Sequence, residues 1–101
     1  MSNYETNANP DEITLAFRSA RAALADLPRG TSKHVRATVA IGACILHGMT
    51  SGRRIVGALV KLGFDKQHAG IVLDKATGPV PRQHEWYKDE GGNYQLHDLP
   101  T

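Results

Sequence analysis

The stretch LVKLGFDKQHAGIVLDKATG, residues 59–78, contains two short helical patterns separated by a turn signal. Gly63 can take a left-handed conformation at the end of the first pattern, and Asp65 can cap a new helix two residues later. So short a connection predicts two helices that cross steeply. Gly70 lies in the middle of the second helix, where it costs about 1 kcal/mol of helix propensity relative to alanine. We therefore expect this helix to dock on its neighbours with one face and to present the other to a partner.

Two further helices are predicted upstream of this pair. Asn9 and Pro10 form a start signal for a helix over about 11–27, with Asn9 as the cap and Pro10 at the first helical position. The apolar stripe of this helix consists of Ile13, Phe17, Ala20, Leu24 and Leu27.

The segment over about 33–48 is apolar nearly all round, so it should be the most buried helix, with Thr31 or Ser32 as its cap. Its β-branched residues leave a strand as the alternative. The residues expected to face inward are Val35, Val39, Gly42, Ile45, Leu46 and Met49.

The helix-turn-helix pair itself is expected at about 52–62 and 65–77. Thr50 or Ser51 is the candidate cap of the first helix. The inward-facing side chains of the pair should be Ile55, Val56, Leu59, Leu62, Ala69, Val72, Leu73 and Ala76. The sequence Gly78-Pro79-Val80-Pro81 then ends helical structure.

The segment over about 83–97 predicts a β-hairpin. Gly91 and Gly92 can supply the positive φ angles of a tight turn. If the loop has two or four residues, His84, Trp86 and Lys88 share one face with Gln95 and His97. The other face then carries Glu85, Tyr87, Tyr94 and Leu96.

Length and composition indicate one globular domain over about 11–99 behind a polar tail at 1–10. The single cysteine, Cys44, excludes an intrachain disulfide and favours a reducing, cytoplasmic setting; its apolar neighbours predict a core position. We expect no membrane span and no secretory signal, since no long apolar run occurs and the N-terminus is polar.

Charge is unevenly distributed along the chain. Residues 29–88 contain ten basic and three acidic residues, whereas each flanking segment has more acids than bases. A basic central region attracts polyanions such as nucleic acid. A solvated mixed surface is the alternative interpretation.

The order of elements, with helices at 33–48, 52–62 and 65–77 followed by a hairpin at 83–97, resembles the winged helix-turn-helix superfamily. The resemblance covers residues 33–98 and is a pattern of elements without a signature motif. It implies a mainly α fold with a C-terminal β-hairpin (α+β), to which the helix at 11–27 is an N-terminal addition. It also implies that the helix at 65–77 reads double-stranded DNA and that the hairpin, as the wing, contacts the backbone.

The same resemblance implies a set of nucleic-acid-binding residues. Gln67 could read adenine, Lys66 and Lys75 could meet phosphate or guanine, and Gly70 could allow close approach. Arg53 and Arg54 could clamp phosphate at a helix start, whose N–H groups are free. The full candidate set is Arg53, Arg54, Lys66, Gln67, Gly70, Ile71, Lys75, Arg82 and Lys88.

Each of these features has a structural alternative. Gly70 could allow close helix packing inside the domain, and Arg53 and Arg54 could be solvated helix-start residues. Trp86 and Tyr87 are expected to fasten the hairpin to the core rather than to stack on bases. Asp74 on the proposed reading face would repel phosphate, although it could accept from cytosine or pair with a neighbouring cation.

No catalytic, metal or cofactor site is expected. The five histidines lack the spacing of a metal site, although His84 and His97 could face each other across the hairpin. No phosphate-binding glycine loop is present, and the acids lie mostly at helix caps and turns, so the pattern does not favour an enzyme.

The sequence therefore predicts a small DNA-binding protein, a transcriptional regulator with no cofactor. Because one small module gives limited affinity, we expect a homodimer, for which the helix at 11–27 is the candidate element. The alternative is a winged-helix adaptor that binds a protein partner through the helix at 65–77 or the hairpin, without nucleic acid.

Overall fold

The fold is known from a computed structural model, which describes residues 10–97. Four helices are followed by two antiparallel strands, which confirms the mainly helical α+β class with a C-terminal hairpin. The elements are α1 (Pro10–Ala25), α2 (Lys33–Leu46), α3 (Gly52–Lys61), α4 (Lys66–Lys75), β1 (Trp86–Lys88) and β2 (Tyr94–Leu96). The predicted tail up to Asn9, with the Asn9 cap, and the predicted end of the domain at 98–99 lie outside the described residues.

Local side chains and glycines define the helix ends. Ser32, rather than Thr31, caps α2 by accepting from the N–H of Val35 at 3.2 Å. Asp65 caps α4 by accepting from the N–H of His68 at 3.0 Å, as predicted. α1 and α2 each end two residues before the predicted limit. At both ends the chain turns through hydrogen bonds that span three residues instead of the four of an α-helix, from Leu27 to Leu24 and from Gly48 to Ile45.

The central element of the domain is α2, which packs against α1, α3, α4 and β2. Its buried residues are Ala37, Ala40, Ile41, Cys44 and Ile45, so the helix assignment is confirmed and Cys44 lies in the core. The prediction was wrong for Val35 and Leu46, which are 44% and 67% exposed. Both lie near the ends of α2, where the neighbouring elements no longer cover it.

The connection between α3 and α4 spans residues 62–65, so the predicted short turn is present but is two residues longer than the expected 63–64. Gly63 has φ 100°, and the N–H of Phe64 donates to the carbonyl of Leu59 at 2.9 Å, which closes the end of α3. Phe64 then packs against the core, and Asp65 begins α4. The two helices therefore pack against each other instead of forming one rod.

The hairpin register reverses the predicted pairing of faces. Trp86 lies opposite Leu96 and Lys88 opposite Tyr94, so the loop has five residues rather than two or four. An odd loop moves every side chain of one strand to the other face. Trp86, Lys88, Tyr94 and Leu96 consequently share one face, and Tyr87 shares the other with Gln95.

Asp89 organises the five-residue loop. Its carboxylate accepts from the N–H groups of Asn93 and Gly91, at 3.0 and 2.9 Å, and from the side-chain amide of Gln95 at 3.2 Å. The hydrogen bonds from Asn93 and Gln95, with a smaller one from Gly91, lower the pKa of Asp89 below its ordinary value. Of the two glycines predicted to have positive φ, only Gly92 does, at 84°.

The indole of Trp86 fastens the hairpin to α4. This side chain is 1% exposed, and its Nε1–H donates to the carbonyl of Leu73 at 3.0 Å and to the hydroxyl of Thr77 at 3.1 Å. On the other strand, the N–H of Tyr94 donates to the carbonyl of Thr50 at 2.9 Å, just before α3. The predicted packing role is confirmed for Trp86 but is wrong for Tyr87, which is 38% exposed and lies against His97.

Replacing Trp86 with phenylalanine should lower the free energy of unfolding by about 2–4 kcal/mol, through loss of buried volume and of the donor shared by Leu73 and Thr77. Urea denaturation would measure the change. Tyr87→Phe is the matched control and should stay within about 0.5 kcal/mol of the parent. Equal losses in the two variants would contradict this account of how the hairpin is held.

Burial raises the pKa of the Cys44 thiol to about 11 from an ordinary 9.0. The unfolded chain therefore ionises first as pH rises, and the stabilisation from the neutral buried thiol, complete below pH 9, should be lost progressively up to about pH 11. The free energy of unfolding should fall by about 2–3 kcal/mol more in the parent than in Cys44→Ala over this range. Urea titrations at several pH values would measure the difference. If the free energy of unfolding depended on pH in the same way in the parent and in Cys44→Ala, the raised pKa of Cys44 would be contradicted.

Candidate functional site

A groove runs between α3 and α4, and Tyr94 of β2 contributes to its lining. Its volume is about 1090 Å³. The apolar residues that line it are Val56, Val60, Leu73 and Tyr94. Arg53, Lys61 and Lys66 add three cations, and the remaining lining residues are Gly52, Gly57, Asp65, Gln67 and Gly70. The groove is thus an open cleft that combines an apolar lining with positive charge.

Two glycines leave space in the groove, one on each helix. A Cβ atom added to Gly70 or to Gly57 would meet no heavy atom within 4 Å beyond the local helix. The alternative in which Gly70 allows close packing inside the domain is therefore wrong. The space above it is open to a partner instead.

A third glycine, Gly52, has a different role. A Cβ at this position would lie 3.1 Å from Cε1 of Tyr94, tighter than an ordinary contact, so the missing side chain lets the Tyr94 ring pack over the start of α3. The Nζ of Lys88 lies 5.2 Å from the centroid of that ring, within range of a cation–π interaction. The hairpin thus brings Lys88 close to the N-terminal end of α3.

The N-terminus of α3 is well suited to an anion. Ser51 occupies the cap position, but its side chain makes no capping hydrogen bond, and the first turn contains no acidic residue. The first N–H groups of α3 are consequently free of side-chain acceptors, and Arg53 and Arg54 follow directly with exposed side chains. Arg53 lines the groove, whereas Arg54 lies outside its lining.

The predicted residues divide into two groups. Arg53, Lys66, Gln67 and Gly70 line one groove, and Lys88 lies beside Tyr94 at its end. The others are exposed but do not line the groove: Arg54, Ile71, Lys75 and Arg82. The spacing along α4 accounts for part of this division, because residues 67, 70 and 74 recur on one helical face and residues 71 and 75 on the adjacent one.

Sequence reasoning missed Lys61 as a groove residue. It lies in the last turn of α3, eight residues after Arg53 and four after Gly57, which is the spacing of one helical face. That periodicity could have identified it.

Acidic residues limit where a polyanion could bind. Asp65 lines the groove, but its carboxylate is engaged in capping α4. The hairpin loop carries Asp89 and the exposed Glu90, so the tip of the hairpin is acidic. Asp74 is exposed on α4. The favourable region for an anion is therefore the α3 side of the groove, not the hairpin tip.

The two histidines of the hairpin region, His84 and His97, both lie against Gly78. A ring nitrogen of His97 lies 2.8 Å from the carbonyl of Gly78, and a Cβ at Gly78 would overlap the ring of His84. Between residues 10 and 97, no group of three or more histidine, cysteine or acidic side chains could hold a metal ion. Within the same range, no helix has the length and apolar content needed to cross a membrane.

Because a Cβ at Gly70 would meet open space in a regular helix, Gly70→Ala should raise the free energy of unfolding by about 0.5–1 kcal/mol. Thermal or urea unfolding would measure it. Gly63→Ala, at a positive φ, should instead destabilise the fold by about 1 kcal/mol or more. A clear loss of stability in Gly70→Ala would show that the site is not open.

Comparison with known proteins identified no relative of this chain. A scan against protein-family models and searches of curated proteins and of solved structures found no significant match. The candidate site is therefore defined by its own contacts, charges and burial.

Proposed function

We propose that this protein is a cytoplasmic transcriptional regulator that binds duplex DNA through α4 and the N-terminus of α3. The observation that carries the proposal is the groove in which Arg53, Lys66, Gln67 and the uncovered Gly70 lie together. Phosphate contacts would fix the position of the protein on the duplex, and side chains of α4 would read base edges.

The arrangement of elements supports a winged helix-turn-helix assignment. Helices α3 and α4 are joined by residues 62–65, and the hairpin packs beside them through Trp86 and Tyr94. The backbone hydrogen bond from Tyr94 to Thr50 extends the hairpin edge to the segment before α3. In such a fold α4 would occupy the position of the recognition helix.

The roles of individual residues follow from chemistry and position. The side-chain amide of Gln67 can make a bidentate contact to adenine, and Lys66 can meet phosphate or guanine. Arg53, Arg54 and the uncapped N–H groups of α3 would hold a phosphate. Lys88 would add a backbone contact from the strand, because the acidic loop beyond it is unfavourable for phosphate.

Three further residues of the predicted set would act at the margin of this interface. Ile71 and Lys75 lie on the adjacent face of α4, and Arg82 follows in the segment before the hairpin. Lys75 and Arg82 could reach phosphates beyond the groove, and Ile71 could contact a thymine methyl group.

Homodimerisation through α1 stays a prediction. Ala16, Ala20 and Leu24 of this helix are already buried within the monomer, where α1 packs on α2. Leu15, which is 51% exposed, is the large apolar side chain that α1 leaves accessible among its described positions. A dimer would therefore have to use the polar side of α1 around Leu15.

A protein-binding adaptor is the second candidate. The observation that favours it is the apolar lining of the groove, in which Val56, Val60 and Leu73 could receive apolar side chains of a partner. The acidic hairpin tip and Asp74 also favour the adaptor, because their negative charge repels DNA.

Binding to random duplex DNA across a salt series tests the first proposal. The logarithm of the affinity should fall steeply with the logarithm of salt concentration, and Arg53→Ala should reduce the slope by about 0.9, as expected for one lost phosphate contact. The double variant of Arg53→Ala with Arg54→Ala should reduce it by about twice as much. Arg18→Ala, an exposed cation on α1, is the charge-matched control and should leave the slope unchanged.

The two candidates give different results in this assay. An undetectable or salt-independent affinity for duplex DNA would overturn the regulator proposal and favour the adaptor. Equal effects of Arg53→Ala and Arg18→Ala would show that charge alone, without a positioned site, determines binding.

A further inference from the structure

A second concave site lies on another part of the domain, where α1 ends, α2 begins and α3 ends. Its volume is about 620 Å³. The residues that line it come from 21–31 together with Arg36, Lys61 and Leu62. Nothing in the DNA-binding proposal uses this pocket.

Four cations line the pocket: Arg21, Arg29, Arg36 and Lys61. No carboxylate is among the lining residues of the described chain, and the nearest acid in sequence, Asp26, is exposed outside the lining. Like charges gathered around one cavity repel each other, so an anion bound among them would be stabilised by all four.

The surrounding contacts hold this arrangement in place. The N–H and hydroxyl of Thr31 both donate to the carbonyl of Pro28, at 3.2 and 2.6 Å, and Gly30 between them has φ 85°. The loop that carries Arg29 is thus a closed turn.

The start of α2 lies at the edge of the pocket. Ser32 satisfies the N–H of Val35, and the first turn of α2 contains no acidic residue. Thr31 and Arg36, on either side of this helix start, both line the pocket. The start of α2 is therefore adjacent to the pocket, and no acidic residue of its first turn opposes a bound anion.

We propose that this pocket binds a phosphate group. Three guanidinium groups and one ammonium group can donate to several oxygens at once, which matches the tetrahedral, multiply charged phosphate better than a planar carboxylate. The phosphate could belong to a free phosphorylated small molecule or to a nucleic-acid backbone. Lys61 lines both this pocket and the α3–α4 groove, so a backbone in the groove could continue into the pocket.

The site is tested by titrating the full chain with inorganic phosphate at constant ionic strength. Binding is monitored through the NMR chemical shifts of the backbone amides. Saturable shifts should centre on residues 29–36. Arg29→Gln and Arg36→Gln should each weaken binding by about tenfold, as for loss of one charge-assisted interaction. Arg18→Gln, which removes an exposed α1 cation outside the pocket, should bind phosphate like the parent.

The proposal would be overturned by shifts that never saturate, by shifts confined to residues outside the pocket, or by equal weakening in Arg18→Gln. Thermal unfolding of each variant would be measured alongside. A pocket variant that is folded like the parent yet keeps full phosphate affinity would also contradict the assignment.

Duplex DNA then identifies the source of the phosphate. If Arg29→Gln lowers the salt slope of duplex binding by about 0.9, the pocket takes a backbone phosphate. If the slope is unchanged while inorganic phosphate still binds, the pocket takes a free phosphorylated ligand. Both results support the pocket. Phosphate binding without any duplex binding would reject the DNA proposal and leave this one standing.

Discussion

Gly63 takes a φ of 100°, which L side chains rarely adopt, and Asp65 caps the following helix two residues later. Because α3 must end and α4 must begin within this short segment, the two helices pack against each other and form the walls of a cleft. Everything proposed for the groove depends on this turn. A longer connection would let α4 move away from Arg53, and a continuous helix would abolish the cleft.

The hairpin completes the cleft through contacts that tie distant segments together. Trp86 reaches the carbonyl of Leu73 near the end of α4, while Tyr94 bonds to Thr50 and packs over Gly52 at the start of α3. One short sheet therefore fixes opposite ends of the two helices. It also positions Lys88 beside Tyr94, so that the one cation of β1 lies near the uncapped end of α3.

Sequence alone predicted the elements well where local chemistry decides them. Asp65, Ser32 and Gly63 act within a few residues of their own position, and the apolar spacing of Ile55 and Leu59 matches the buried face of α3. The candidate site was predicted in part: four of its residues, Arg53, Lys66, Gln67 and Gly70, line one groove, whereas Lys61 was missed. The faces of the hairpin were assigned wrongly, because one more or one fewer loop residue reverses them and composition does not specify loop length.

The sequence by itself determined the helices, the Asp65 cap of α4, the short turn and the presence of a hairpin, since these depend on interactions between residues close in the chain. Only the tertiary structure decided that the space above Gly70 is open, that Val35 and Leu46 are exposed, and that Arg21, Arg29, Arg36 and Lys61 converge on one pocket. Those facts depend on how the four helices pack together. Contacts between residues far apart in sequence produce no periodic pattern, so the sequence does not predict them.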